Sequence, residues 1–183
     1  ELVRVLQHPR PYPLLYHLAE HRLESVRPRH VDLALRVVQL DATALVFQAP
    51  VSEEVARFVG VETLVTGRVI ARDGVTVVEV AGRKLEVAAA ARVGETVRLG
   101  LRPEDVTLVL PTELAPLSSA RNYLPGTIVR VTASAPATRV VVDVGFPLVA
   151  TATARSAADL GLTEGGAIVA AFKASAVHLI GPG

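Results

Sequence analysis

From residue 61 onward, apolar residues fall into short runs rich in Val and Ile, separated by turn residues. The first runs are 63–71, 75–80, 83–88, 96–101 and 106–110, broken at Asp73-Gly74, Ala81-Gly82 and Val93-Gly94-Glu95. Asp-Gly between two apolar runs is a strong hairpin signal. A second set follows at 126–134, 138–144, 148–154, 168–172 and 176–180. Ser156 heads a single short helix over 157–160, which Gly161 ends. Strands at this spacing predict small barrels or sandwiches. The expected fold is mainly β. Two OB-like barrels at 61–111 and 118–183 follow one another, each with five short strands. Pro111 and Pro116 mark the linker between them. Near the end of each unit the phrase 92–98 parallels 162–168.

The first sixty residues read differently, as a short α-containing segment. Leu14, Leu15, Leu18 and Leu23 follow a helical spacing that Pro28 stops. Residues 31–40 read as a strand or a mixed apolar segment. Ser52 begins a short helix with Val55, Phe58 and Val59 on one side, and Gly60 supplies the C-terminal cap.

Charge adds little to this pattern and excludes much. Nineteen basic residues face eighteen acidic ones, so no overall field draws the chain to nucleic acid or to a membrane surface. An OB-like nucleic-acid binder needs a basic groove with aromatic platforms; the β units hold only Tyr123, Phe146 and Phe172. No apolar run approaches the roughly 20 residues of a membrane span, and no signal-peptide pattern is present. The absence of cysteine excludes disulfides, thiolate metal sites and a cysteine nucleophile. The absence of methionine, even at position 1, points to a start inside a longer gene product, or to processing. Only Lys84 and Lys173 are lysines. Residues 118–183 carry five Lys/Arg against three Asp/Glu, a mild excess that suits a small anion.

No phosphate-cradling G-x-x-x-x-G-K-[ST] loop occurs, and no G-x-G-x-x-G loop follows a strand. No nucleotide site is expected in these residues, and no catalytic residues are identified. His17 and His21 stand four apart, a spacing that can bind zinc on a helix, but a solvated helix face is the simpler reading and no metal is expected. His178 alternates with Val177 and Leu179, as an outward-facing strand residue does.

Two runs stand out chemically. Ser118-Ser119-Ala120-Arg121-Asn122 and Lys173-Ala174-Ser175 each place small residues and hydroxyls beside a cation, without a carboxylate. A small oxyanion needs such donors, and close backbone approach as well. Taken alone, each run also suits an ordinary polar loop. Their positions at the two ends of one predicted barrel allow them to meet.

The order of phrases adds a resemblance. Ser119-Ala120-Arg121-Asn122-x-Leu124-x-Gly126-x-Ile128-Val129 resembles the opening of the molbindins, small molybdate-binding domains also known as Mop or TOBE domains. Thr153-x-x-Ser156-x-x-x-Leu160-Gly161-Leu162-x-Glu164-Gly165 and Ala170-x-Phe172-Lys173-Ala174-Ser175-x-Val177 are similar to later phrases of that family. The resemblance implies a molybdate or tungstate dianion held where subunits or tandem domains meet. Ser119, Ala120, Arg121, Asn122, Lys173, Ala174 and Ser175 are the binding residues it implies, with Ser118 an adjacent donor. Upstream, residues 46–60, Gly67-Arg68-Val69 and 101–106 resemble the regulatory region of ABC importer ATP-binding subunits. Arg36-Val37-Val38-Gln39 resembles a strand near the end of the ATPase domain. The chain is then a piece of such an ATPase, or a descendant that lost it, without Walker or signature motifs. The implied setting is cytoplasmic, at the inner face of the membrane. The implied partners are further copies of the chain and membrane subunits, with no nucleic acid and no membrane insertion. A ligand-free dimerisation module is the competing expectation.

Overall fold

The computed structural model describes residues 2–7, 14–18, 36–42, 50–111, 118–134 and 136–180. The chain divides into two units. One comprises Glu1–Val59 with Ile180–Gly183, and the other Gly60–Leu179.

The first unit holds a three-stranded antiparallel sheet of β1 (Leu2–Gln7), β2 (Leu14–Leu18) and β3 (Arg36–Ala42), with β1 in the middle. The helix expected from Leu14, Leu15 and Leu18 is instead β2, which pairs Leu14 with Leu6 and Leu18 with Leu2. A short apolar run fits either period, and the pairing with β1 decides it. His17 therefore lies on a strand, opposite Val3; Leu23 and His21 lie outside the described residues. Helix α1 (Glu53–Phe58) forms as expected. Ser52 Oγ accepts from Val55 N at 3.3 Å, and Glu53 and Glu54 favour the positive end of the helix dipole.

The second unit is built from two five-stranded antiparallel sheets. One has the order β13-β7-β4-β5-β6, where β4 is Thr63–Asp73, β5 Val75–Val80, β6 Arg83–Val87, β7 Thr96–Leu101 and β13 His178–Ile180. The other has the order β11-β10-β9-β12-β8, where β8 is Thr107–Val109, β9 Asn122–Ser134, β10 Ala137–Asp143, β11 Pro147–Thr153 and β12 Ala167–Phe172. Each half of the sequence thus lends its last strand to the other half's sheet. Before each crossing strand lies a short 3-10 turn, Pro103–Asp105 or Ala174–Ala176. The first packs on β11 and the second on β6.

Alternation builds the interior. Thr76, Val78 and Val80 of β5, and Thr138, Val140 and Val142 of β10, point inward while their neighbours do not. The inward sets join one core that includes Leu85, Leu99, Leu148, Ile168 and Phe172. The two halves repeat one frame. Gly67 pairs with Val97, and Gly126 with Ile168. A Cβ on Gly67 would stand 2.6 Å from Glu79 O, and one on Gly126 would stand 2.4 Å from Asp143 O. The turns entering β7 and β12 match bond for bond. Val69 N donates to Glu95 O and Gly94 N to Val69 O, as Ile128 N donates to Gly166 O and Gly165 N to Ile128 O. Gly94 therefore corresponds to Gly165, so the phrases 92–98 and 162–168 align one residue away from the direct reading. Helix α2 (Ala154–Asp159) begins three residues earlier than expected. Its cap is Thr153, not Ser156, because Thr153 Oγ1 is the oxygen that accepts from Ser156 N, at 3.1 Å.

Candidate functional site

The two runs meet at the end of the β9–β12 pair. Asn122 stands opposite Phe172 in register, and Arg121 N donates to Phe172 O at 3.3 Å. Lys173 follows directly. A cleft of about 450 Å³ opens here. Among its lining residues are Ser118, Ser119, Ala120 and Lys173, with Glu104 and Asp105 from the other half's 3-10 turn.

The eight expected residues divide by what they touch. Ser118 Oγ accepts from Ala120 N at 3.1 Å and contacts the Tyr123 hydroxyl, which fixes the bend of the run. Ser119 and Lys173 are exposed, and neither side chain bonds to another group among the described residues. Ala120 lines the same cleft, with its N–H donated to Ser118 Oγ.

Arg121 turns instead toward β6. Its Nε donates to Glu86 Oε2 at 2.8 Å and its Nη2 to Glu86 Oε1 at 3.2 Å. The Glu86 hydrogen bond, and then its charge, raise the Arg121 pKa above its ordinary value. Asn122 is buried, with 3% of its surface exposed. Its Oδ1 accepts from Glu86 N at 2.8 Å and its Nδ2 donates to Glu86 O at 2.9 Å. Both ends of the amide are used, so Asn122 holds the run against the first sheet. The carbonyl of Ala174 accepts from Ala88 N at 3.0 Å. Ser175 is exposed and is not among the cleft residues. The chain crosses from one sheet to the other through the 3-10 turn Ala174–Ala176, so Lys173 lines the cleft and Ser175 does not.

Three acidic residues escaped sequence reading. Glu86 lies in an ordinary alternating strand and carries no local signal. Glu104 and Asp105 had one: Leu101-Arg102-Pro103-Glu104-Asp105-Val106 takes the place in its half that Phe172-Lys173-Ala174-Ser175-Ala176-Val177 takes in the other.

Comparison with known proteins agrees with this architecture. The TOBE domain family matches residues 118–179. The Molybdate/tungstate import ATP-binding protein WtpC of Pyrococcus horikoshii is 33% identical over 145 residues, 79% of this chain and 39% of that protein. Its namesake from Pyrococcus abyssi is 35% identical over 150 residues, 81% of this chain and 41% of that protein. The chain thus spans about two fifths of the length of these relatives. Among solved structures, the cytoplasmic molybdate-binding protein ModG with molybdate bound superposes with a TM-score of 0.56. It is 25% identical and covers 67% of this chain and 97% of its own. Residues 118–179 thus match the TOBE domain family, in a chain similar over most of its length to molybdate/tungstate import ATP-binding proteins.

Proposed function

We propose that the chain is an oxyanion-sensing regulatory segment of an ABC importer's ATP-binding subunit, responsive to molybdate or tungstate. The observation that carries this reading is the cleft where Ser119 and Lys173 present unspent donors beside Ala120. Hydroxyl and ammonium groups together suit a tetrahedral dianion. No catalysis is assigned to these residues; the segment binds and signals from the cytoplasmic side.

Charge argues for a site shared between copies. Lys173 faces Glu104 and Asp105 in the cleft, so one cation meets two carboxylates and the balance is −1. Arg121 is already matched by Glu86. A dianion needs further cations, which basic residues outside this cleft on a second copy of the chain would have to supply. Sharing the ligand then favours one arrangement of the pair. That differential affinity is what lets a ligand bias the ATPase and membrane subunits of the importer. Size selects molybdate or tungstate over sulfate, since charge and shape are alike.

Glu104 and Asp105 also favour a second reading, in which the barrels serve dimerisation without a small ligand. Titration calorimetry with molybdate, tungstate, sulfate and phosphate separates the two. The sensing reading expects heat with the first two, lost in Lys173→Ala. Silence with all four ions, with self-association intact, supports the dimerisation module.

A further inference from the structure

Arg121 and Asn122 grip one residue of the first sheet in two ways. Arg121 holds the side chain of Glu86 through Nε and Nη2. Asn122 holds the backbone N–H and C=O of Glu86. The first grip is electrostatic and half-exposed, with 64% of the Arg121 side chain and 27% of the Glu86 side chain open to solvent. The second is buried and neutral.

A guanidinium offers its donors along planar edges that take a carboxylate or an oxyanion two bonds at a time. Glu86 fills the Nε edge of Arg121 and cancels its charge at a distance of 2.8 Å. Arg121 stands between Ala120, in the cleft, and the Asn122 clamp. Any dianion that recruits this arginine competes with a carboxylate already seated on it. The other half of the unit has no such arrangement. There the residue corresponding to Arg121 is Glu62, which bonds Arg139, and the residue corresponding to Glu86 is Val149.

We propose that Glu86 is the internal competitor of the oxyanion for Arg121, and that it sets the affinity of the site. The role rests on the oxyanion reading given above. Its sign follows from the double grip. Glu86→Gln removes the competing charge, yet leaves the backbone groups that Asn122 holds. The run 118–122 keeps its place while Arg121 becomes available. Capture of Arg121 by a ligand would also free a side chain of β6, so occupancy at the second half is felt in the first sheet.

Molybdate titrations of the whole chain test the role, comparing wild type, Glu86→Gln and Glu86→Ala. Both variants are expected to bind molybdate about threefold to fivefold more tightly, the scale of one half-exposed ion pair. Their ligand-free melting temperatures stay level or fall slightly. A structural prop would lower affinity and stability together. Unchanged or weaker binding in a folded variant overturns the proposal. So does an equal gain from Glu86→Gln in an Arg121→Ala background, which would make Glu86 a general repulsive charge. If neither wild type nor variant binds molybdate or tungstate, the oxyanion reading itself falls, and the role of Glu86 with it.

Discussion

The two halves of the barrel unit share a frame and differ in chemistry. Gly67 and Gly126 let β4 and β9 pass against a neighbouring strand. Thr63 and Asn122 occupy matching positions, opposite Leu101 and Phe172, and each reaches across to an edge strand of the other sheet. Thr63 Oγ1 accepts from Val149 N at 2.9 Å, while Asn122 binds the backbone of Glu86 twice. Edge strands leave backbone groups unpaired, and these two side chains satisfy some of them. Around this common frame the residues diverge. Gly60-Val61-Glu62 stands in the first half where Ser119-Ala120-Arg121 stands in the second. Positions that agree in role hold the fold; positions that disagree carry the candidate chemistry. The internal comparison thus gives Asn122 an architectural role, with its amide spent on the Glu86 backbone.

The sharpest way to break the equivalence is at the glycines. Gly67→Ala and Gly126→Ala each push a methyl to within 2.6 Å or less of a backbone carbonyl. Each is expected to cost about 3 kcal/mol, as overpacking against an unyielding neighbour does. Denaturant midpoints check this; tolerance of one substitution but not the other would show that the frames are not equivalent. Next come the clamps. Asn122→Ala leaves two backbone groups of β6 without partners, and about 2 kcal/mol is expected. Thr63→Val removes one bond and should cost about half of that. The same unfolding curves test the ratio.

The third comparison separates fold from site. Ser119 and Lys173 are exposed and bond to nothing among the described residues, so Ser119→Ala with Lys173→Ala should alter stability by no more than about 0.5 kcal/mol. The same pair should abolish the thermal shift with molybdate. Glu62→Gln, at the place of Arg121 in the other half, should leave that shift intact. A shift that survives the double substitution would move the site elsewhere.

How far this was legible depends on the range of the interactions. Strands β5 and β7 were readable to the residue, because alternation and turn residues are local. The crossing of β8 and β13 was not, since three-residue strands carry no mark of their partner. At Leu14–Leu18 the local pattern fitted two periods, and pairing with the preceding strand β1 chose between them. At the site, small residues and hydroxyls pointed to Ser119 and Lys173. No residue type announces that its neighbour is engaged across a sheet, so the capture of Arg121 and Asn122 by Glu86 could be seen only in three dimensions.

The smallest expected effect lies at the hairpin tips. In the first half, Val80 pairs with Arg83 across the two-residue turn Ala81-Gly82. Both central residues have positive φ, 47° at Ala81 and 76° at Gly82, as a type I′ turn requires. In the second half, Asp143 pairs with Pro147 across a three-residue loop. There the left-handed conformation falls on Gly145, at φ 101°, and Asp143 Oδ1 accepts from Gly145 N at 2.9 Å. Among the described residues, only the first half places a Cβ in the left-handed region, which costs about 1 kcal/mol or slightly more. Ala81→Gly removes that strain but gives the unfolded chain more freedom, which costs about 0.5–1 kcal/mol. A Cβ added at Gly82 meets no atom within 4 Å, so the reverse change, Gly82→Ala, is penalised by conformation alone. Ala81→Gly should therefore stabilise the unit by about 0.5 kcal/mol, and Gly82→Ala should destabilise it by about as much. Melting temperatures that move in opposite directions confirm the turn type. Movement in the same direction would mean that the two tips differ for a reason other than backbone handedness.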